Sequence, residues 1–155
     1  MERKNFIKTN IITNIIIILV AVLGSVFVAL GQDWYSTLIK PTEWVPSFVF
    51  GIVWTVIYVL TAITMFIWQK NSKVPACVYA LLIINGILNV LWCLTFFTLN
   101  QLLLGAIIIL LNLIFAFWLI VRVYKSNWFY AALIAIYPVW ISIATTLNLA
   151  TWILN

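Results

Sequence analysis

Of 155 residues, 66% are hydrophobic and only 7% charged, where an ordinary soluble domain carries about 25% charged side chains. A water-soluble core of this size could not hide so much apolar surface, so the composition excludes a soluble globular domain and points to lipid as the solvent. The absence of histidine and the presence of only three acidic residues also leave conventional hydrolase or metalloenzyme chemistry without its usual groups, and no metal site is expected.

Polar interruptions at 32–46, 69–75, 98–101 and 124–127 cut the chain into five apolar segments, roughly 10–31, 47–68, 76–97, 102–122 and 129–153. Each is near the ~20 residues that a helix rising ~1.5 Å per residue needs to cross ~30 Å of hydrocarbon. A lone spanning segment must satisfy its own backbone hydrogen bonds, which requires helix. The expected fold is therefore all-α: a single domain over 1–155, built as a five-transmembrane-helix bundle. The first segment follows a basic Met-Glu-Arg-Lys start, but its apolar run exceeds the ~15 residues of a signal peptide and lacks a small-residue cleavage site, so it reads as a retained span.

Seven of the eight basic residues fall on one side of this topology: Arg3, Lys4 and Lys8 before span one, Lys70 and Lys73 after span two, Arg122 and Lys125 after span four. Lys40 stands alone on the other side, beside Asp33 and Glu43. The positive-inside rule then places the N-terminus in the cytoplasm and the C-terminus outside, in a multi-pass cell-membrane protein. The net charge of +5 is accounted for by a basic rim facing anionic lipid and implies no nucleic acid. Cys77 and Cys93 both lie on span three, sixteen residues apart, and cannot bridge each other.

The loop at 32–46 is about twice as long as any other. Pro41 and Pro46 stiffen it, while Trp34, Tyr35, Leu38 and Trp44 give it apolar mass to pack on the bundle mouth as a lid. Within the spans, helical spacing sets Gly51, Trp54 and Tyr58 on one face of span two. It does the same for Asn85, Asn89, Trp92 and Phe96 in span three, and for Tyr137, Trp140, Ala144 and Asn148 in span five. An unpaired amide in hydrocarbon costs several kcal/mol, so these faces turn into the bundle. There they serve as interhelical hydrogen-bond glue, or as the walls of a pocket for a flat, mostly apolar ligand. Trp68, Trp128 and Trp152 sit at span ends and read as interfacial belt. Ala21, Gly24, Ser25, Gly105 and Ala106 allow close helix approach, within the chain or between two copies. No intramembrane ionisable residue and no broken helix are apparent, which gives a transporter little to work with.

Three blocks carry a resemblance over essentially the whole chain. They are Trp34-Tyr35 with Leu38, Lys40-Pro41, Trp44 and Pro46, leading into Phe50-Gly51 and Trp54 to Tyr58; Leu88-Asn89 with Trp92 and Phe96-Phe97; and Tyr137, Trp140 and Ala144-Thr145-Thr146-Leu147-Asn148. In these blocks the chain resembles the tryptophan-rich sensory protein family, TspO, also called the translocator protein or peripheral benzodiazepine receptor family, in its bacterial form. Asn85 stands where the family often has glutamine, Pro138 follows Tyr137 instead of a proline preceding it, and Leu149 replaces the tyrosine of sterol-binding members. The last departure argues against a cholesterol role. The resemblance implies a five-helix bundle, often a homodimer, that requires no cofactor and binds porphyrins such as protoporphyrin IX or isoquinoline-carboxamide and benzodiazepine ligands. In some members it implies light-dependent porphyrin degradation. A porphyrin would stack on Trp54 and Trp140, the two residues suited to photochemical electron donation, with Lys40, Trp34 and Asn148 as candidate partners for its propionates. Transport of porphyrins and sensing of ligand occupancy are the alternative functions. The ligand site is expected near the outer face, beneath the long loop.

Overall fold

The computed structural model describes residues 3–41 and 45–155; Thr42, Glu43 and Trp44 lie outside the described residues, and with them the packing expected of Trp44. The helices are α1 (Arg3–Leu30), α2 (Gln32–Thr37), α3 (Ser47–Asn71), α4 (Ala76–Cys93), α5 (Leu102–Ser126), α6 (Trp128–Ile134) and α7 (Ile136–Leu154). Among the described residues, five stretches are long and apolar enough to cross a membrane: Lys4–Leu30, Phe48–Asn71, Ala76–Thr98, Leu102–Ser126 and Trp128–Leu154. The chain is an all-α, five-span, multi-pass membrane protein. Side chains such as Ile18, Leu30, Ile114 and Ile153 stand exposed, as a lipid-facing surface requires. One end of the bundle carries Lys4, Lys8, Lys70, Lys73, Arg122 and Lys125 and is called the basic end here; the opposite end carries residues 32–41 and is the loop end.

Packing closes the spans into a ring. Helix α1 lies against α3 and α4, α4 against α5, α5 against α6 and α7, and these return to α3; among the described residues α3 and α4 make no direct backbone contact. Small residues set the closest approaches. A Cβ on Gly86 would come within 2.9 Å of Val20 Cγ2, one on Gly105 within 2.9 Å of Phe96 Cβ, and one on Gly24 within 3.5 Å of Cys93 Sγ. The glycines of spans one and four thus serve contacts inside this chain.

Two spans depart from regular α geometry, contrary to the expectation of unbroken helices. Span three ends in a π turn over Leu94–Thr98, with the Leu99 N–H donating to the Leu94 carbonyl at 2.9 Å. Asn100 then takes a φ of 59°, a left-handed conformation that asparagine tolerates better than most residues. Span five breaks at Ala135 between α6 and α7. Pro138 has no N–H to give the Ile134 carbonyl, and its ring crowds that turn, so the helix bends just before it.

Two apolar cores fill the ring. The basic-end core joins Met65, Trp68, Val78, Leu81, Leu119, Val123 and Tyr130; the loop-end core joins Trp92, Cys93, Phe96, Ile109, Ile141 and Ala144. Trp68 is only 3% exposed and stacks on Tyr130 with ring centroids 4.8 Å apart, so it is a core residue and not part of an interfacial belt. Trp128 and Trp152 are exposed, as belt residues would be.

Candidate functional site

Between the two cores lies a layer of buried amides and phenols. Asn85 and Asn89 on α4 and Asn112 on α5 are all at most 3% exposed, as is Asn148, which lies on α7 beyond Ala144, nearer the loop end. The Tyr137 hydroxyl lies 3.2 Å from Asn85 Oδ1 and 3.0 Å from Asn112 Oδ1. One phenolic proton serves one oxygen. With the Asn112 amide turned so that its otherwise unpartnered Nδ2 donates to the phenolic oxygen, all three residues are paired, and α4, α5 and α7 are tied together at mid-membrane. Asn89 Nδ2 donates to the Tyr58 hydroxyl at 2.9 Å, joining α4 to α3.

Aromatic rings divide the interior at the same level. Trp54 stacks on Tyr58 at 5.7 Å and leans on Trp92 at 6.5 Å and on Tyr137 at 6.4 Å. This partition separates two chambers. The inner chamber, about 100 Å³, is lined from α1 by Thr13, Ile16, Ile17 and Val20, from α3 by Trp54, Tyr58 and Thr61, and from α4 by Tyr79, Ile83, Asn85 and Asn89, with Tyr137 also on its wall. The outer chamber, about 30 Å³, is lined by Phe50, Trp92, Phe96, Phe97, Ala144, Leu147, Asn148 and Thr151. The stripes read from the sequence therefore do converge, but on two spaces. The larger of them sits at mid-membrane and toward the basic end, not beneath the loop.

The outer chamber is lined by buried polar groups with no partner among the described residues, Trp92 Nε1 and both Nδ2 and Oδ1 of Asn148; Trp140 Nε1 is likewise unpartnered, but Trp140 lines neither chamber and stands behind Phe50. Trp140 packs edge-on against Phe50 at 5.2 Å. Over this chamber sits the start of the loop, which is helical as α2. Trp34 and Tyr35 contact Phe96 edge-on at 6.1 and 6.0 Å, and Tyr35 also meets Phe97 at 5.1 Å. Burial pushes the Tyr35 phenol up from its ordinary pKa, keeping it neutral, and the Lys40 ammonium lies 4.4 Å from its ring centroid, a cation–π contact. Lys40 is thus engaged with Tyr35 and remains exposed. The loop is also clasped to α7: the Ile39 N–H donates to Asn155 Oδ1 at 3.0 Å, and Asn155 Nδ2 donates to the Ile39 carbonyl at 2.9 Å.

Of the remaining sequence-derived candidates, Leu38 is half-buried in the loop, whereas Pro46 and Gly51 are exposed and line neither chamber. A Cβ on Gly51 would meet open space, so it does not share the inward face of Trp54 and Tyr58. Sequence reasoning missed Asn112, which is fully buried, and a second polar cluster near the basic end. There Gln69 Nε2 donates to Thr13 Oγ1 at 2.9 Å and to the Tyr79 hydroxyl at 3.1 Å, while Asn10 Nδ2 donates to Gln69 Oε1 at 3.1 Å. Gln69, at the start of the 69–75 interruption in the sequence, lies within α3, and its amide beside an apolar run is the kind of signal that marks a buried network.

A five-span bundle with a tryptophan partition across its middle defines the class of membrane protein. Comparison with known proteins makes it specific. Residues 13–153 match the model of the TspO/MBR family. The chain is 34% identical over 135 residues to tryptophan-rich protein TspO of Archaeoglobus fulgidus, covering 85% of this chain and 87% of that one. It is 30% identical to tryptophan-rich protein TspO of Chlorobaculum tepidum, covering 85% and 86%, and 26% identical to protein CrtK of Rhodobacter capsulatus, covering 79% and 78%. The chain belongs to the TspO/MBR family.

Proposed function

We propose that this protein binds a planar tetrapyrrole such as protoporphyrin IX at the loop end, between α3, α4 and α7, and that Trp54 and Trp140 act on the bound ligand in light. The observation that supports this reading is the set of unpartnered polar atoms around the outer chamber. Two indole N–H groups and a complete carboxamide buried without partners cost about 1–3 kcal/mol each, and a ligand with carboxylates and ring nitrogens would satisfy them. The aromatic rings beside them give a flat ligand its stacking faces. Isoquinoline-carboxamide and benzodiazepine ligands, flat and bearing carbonyl acceptors, fit the same chemistry.

A porphyrin is far larger than the ~30 Å³ of the outer chamber, since pockets for drug-sized ligands run to about 300–1,000 Å³. Binding therefore requires the loop and the aromatic partition to move, and the present conformation is the closed one. In light, an indole of Trp54 or Trp140 would pass one electron to the excited porphyrin, leaving an indole radical cation and a porphyrin radical anion. Both atoms of one dioxygen would then add across a methine carbon–carbon double bond of the ring, which cleaves to two carbonyls, while the transferred electron returns to the indole radical cation, so that no further reductant is consumed.

Protoporphyrin IX titrated into the detergent-solubilised protein should quench tryptophan fluorescence saturably, and illumination should bleach the Soret band. Trp54→Phe and Trp140→Phe should each slow bleaching severalfold while leaving the fold intact. Unchanged bleaching in both variants would reject the role given to the indoles, and absence of saturable quenching would reject the ligand class.

A further inference from the structure

The inner chamber has its own access route and its own unmet chemistry. Near the basic end α1 is held to α3: Phe6 meets Phe66 at 5.7 Å, and Asn10 and Thr13 bond Gln69. Toward the loop end the same helix is held to α4 through Val20 on Gly86 and Gly24 on Cys93. Helix α1 therefore crosses from one neighbour to the other, and the seam between α1 and α4 opens on the basic-end side of Gly86. Of the residues lining the chamber, the exposed ones are Ile16 on α1 and Ile83 on α4, and both border that seam. The chamber thus opens sideways into lipid through an apolar portal.

Inside, Asn89 is 3% exposed and its Oδ1 has no partner among the described residues. Tyr58 accepts from Asn89 Nδ2, and its own O–H proton has no acceptor among the described residues. The chamber wall thus presents one free acceptor and one free donor side by side. Turning the amide over leaves the same complement, a free N–H beside a phenolic oxygen. A hydroxyl group, which is donor and acceptor at once, matches either arrangement.

We propose that the inner chamber is a second binding site, entered from the bilayer between α1 and α4, for a single-chain aliphatic alcohol. Its hydroxyl docks on Asn89 and Tyr58, and its chain leaves through the portal past Ile16 and Ile83. The volume agrees: about 100 Å³ is less than the ~150 Å³ of a cavity known to admit benzene, so it takes a head and the first carbons while the rest of the chain stays in lipid. This site does not depend on the tetrapyrrole reading, because it is argued from Asn89, Tyr58 and the seam between α1 and α4 and not from the unpartnered groups at the loop end.

The test uses the full chain in lipid nanodiscs and a photoreactive diazirine derivative of 1-octanol, with adducts mapped by mass spectrometry. Adducts should concentrate on the α1 and α4 segments around Ile16 and Ile83. Excess 1-octanol should compete, whereas octane and octyl methyl ether should not. Ile83→Trp, a lipid-facing change that narrows the portal, should reduce the labelling roughly tenfold, and Asn89→Leu should do the same by removing a hydrogen-bonding pair. Protoporphyrin quenching should persist in Ile83→Trp, which separates the two sites. Labelling spread evenly over lipid-facing helices, competition by octane equal to that by octanol, or labelling unchanged in Ile83→Trp would each overturn the proposal.

Discussion

Tyr137 shows how much can rest on one hydroxyl in a low-dielectric interior. It completes the link between Asn85 and Asn112, and without it two amides in the middle of the membrane lose a partner at once. Tyr137→Phe is therefore expected to lower stability by about 1–3 kcal/mol, read as a lower melting temperature in detergent. Asn112→Leu in the same background should cost less than it does in the parent, because the two residues act as one unit. Gly31 is constrained in another way: a Cβ there would lie 2.0 Å from the Phe97 carbonyl oxygen, backbone that cannot swing aside. Gly31→Ala should destabilise the protein by at least the ~1–3 kcal/mol typical of overpacking, with the seam between α1 and the π turn the first to loosen in hydrogen exchange. The inward stripes of spans three and five were legible in the sequence because asparagine and tryptophan at helical spacing in hydrocarbon have few other uses. Asn112 escaped notice because it stands alone on its span, and a single amide carries no periodicity. Trp68 misled because its position near a span end fits a belt residue as well as a core one; only the stacking on Tyr130 decides.

At the level of elements, the span boundaries followed from hydropathy to within a few residues, except that α1 begins at Arg3, well before the apolar run. Nothing in composition signals how far a helix continues past the hydrocarbon. The bend before Pro138 was not expected, although that proline accounts for it, and the π turn of span three leaves no comparable mark in the sequence. The short α2 was also unforeseen: its residues suggest a lid, but its helical form depends on the aromatic floor provided by Phe96 and Phe97. The lid is held at its far side by the two hydrogen bonds between Asn155 and Ile39. Asn155→Ala should release that side, giving faster proteolysis around Ile39 and faster porphyrin association with little change in global melting temperature. Unaltered cleavage and association rates would show that the lid is held by Tyr35 and Trp34 alone.

For the whole molecule, the ring of spans and the inward convergence of tryptophans were foreseeable, while the division into two chambers was not, because it depends on rings from α3, α4 and α7 meeting at one depth. The asymmetry of the two ends yields a topology prediction. In a background with Cys77→Ser and Cys93→Ala, Ser72→Cys at the basic end should react with a membrane-impermeant maleimide only in inverted vesicles or broken cells, as positive-inside topology requires. Labelling in intact cells would reverse the orientation. A different consequence follows from the crossing path of α1. At 28 residues it is about 42 Å long; its apolar run from Ile11 to Leu30 accounts for about 30 Å of that and matches a hydrocarbon core, and such a run leans more when the bilayer is thinner than it is. The lean carries α1 from α3 to α4 and holds the portal apart. A thinner membrane should increase the lean and widen the aperture, and a thicker one should straighten α1 and close it. Admission to the inner chamber would then follow the thickness of the surrounding lipid, making the bilayer itself a regulator of what this protein takes in.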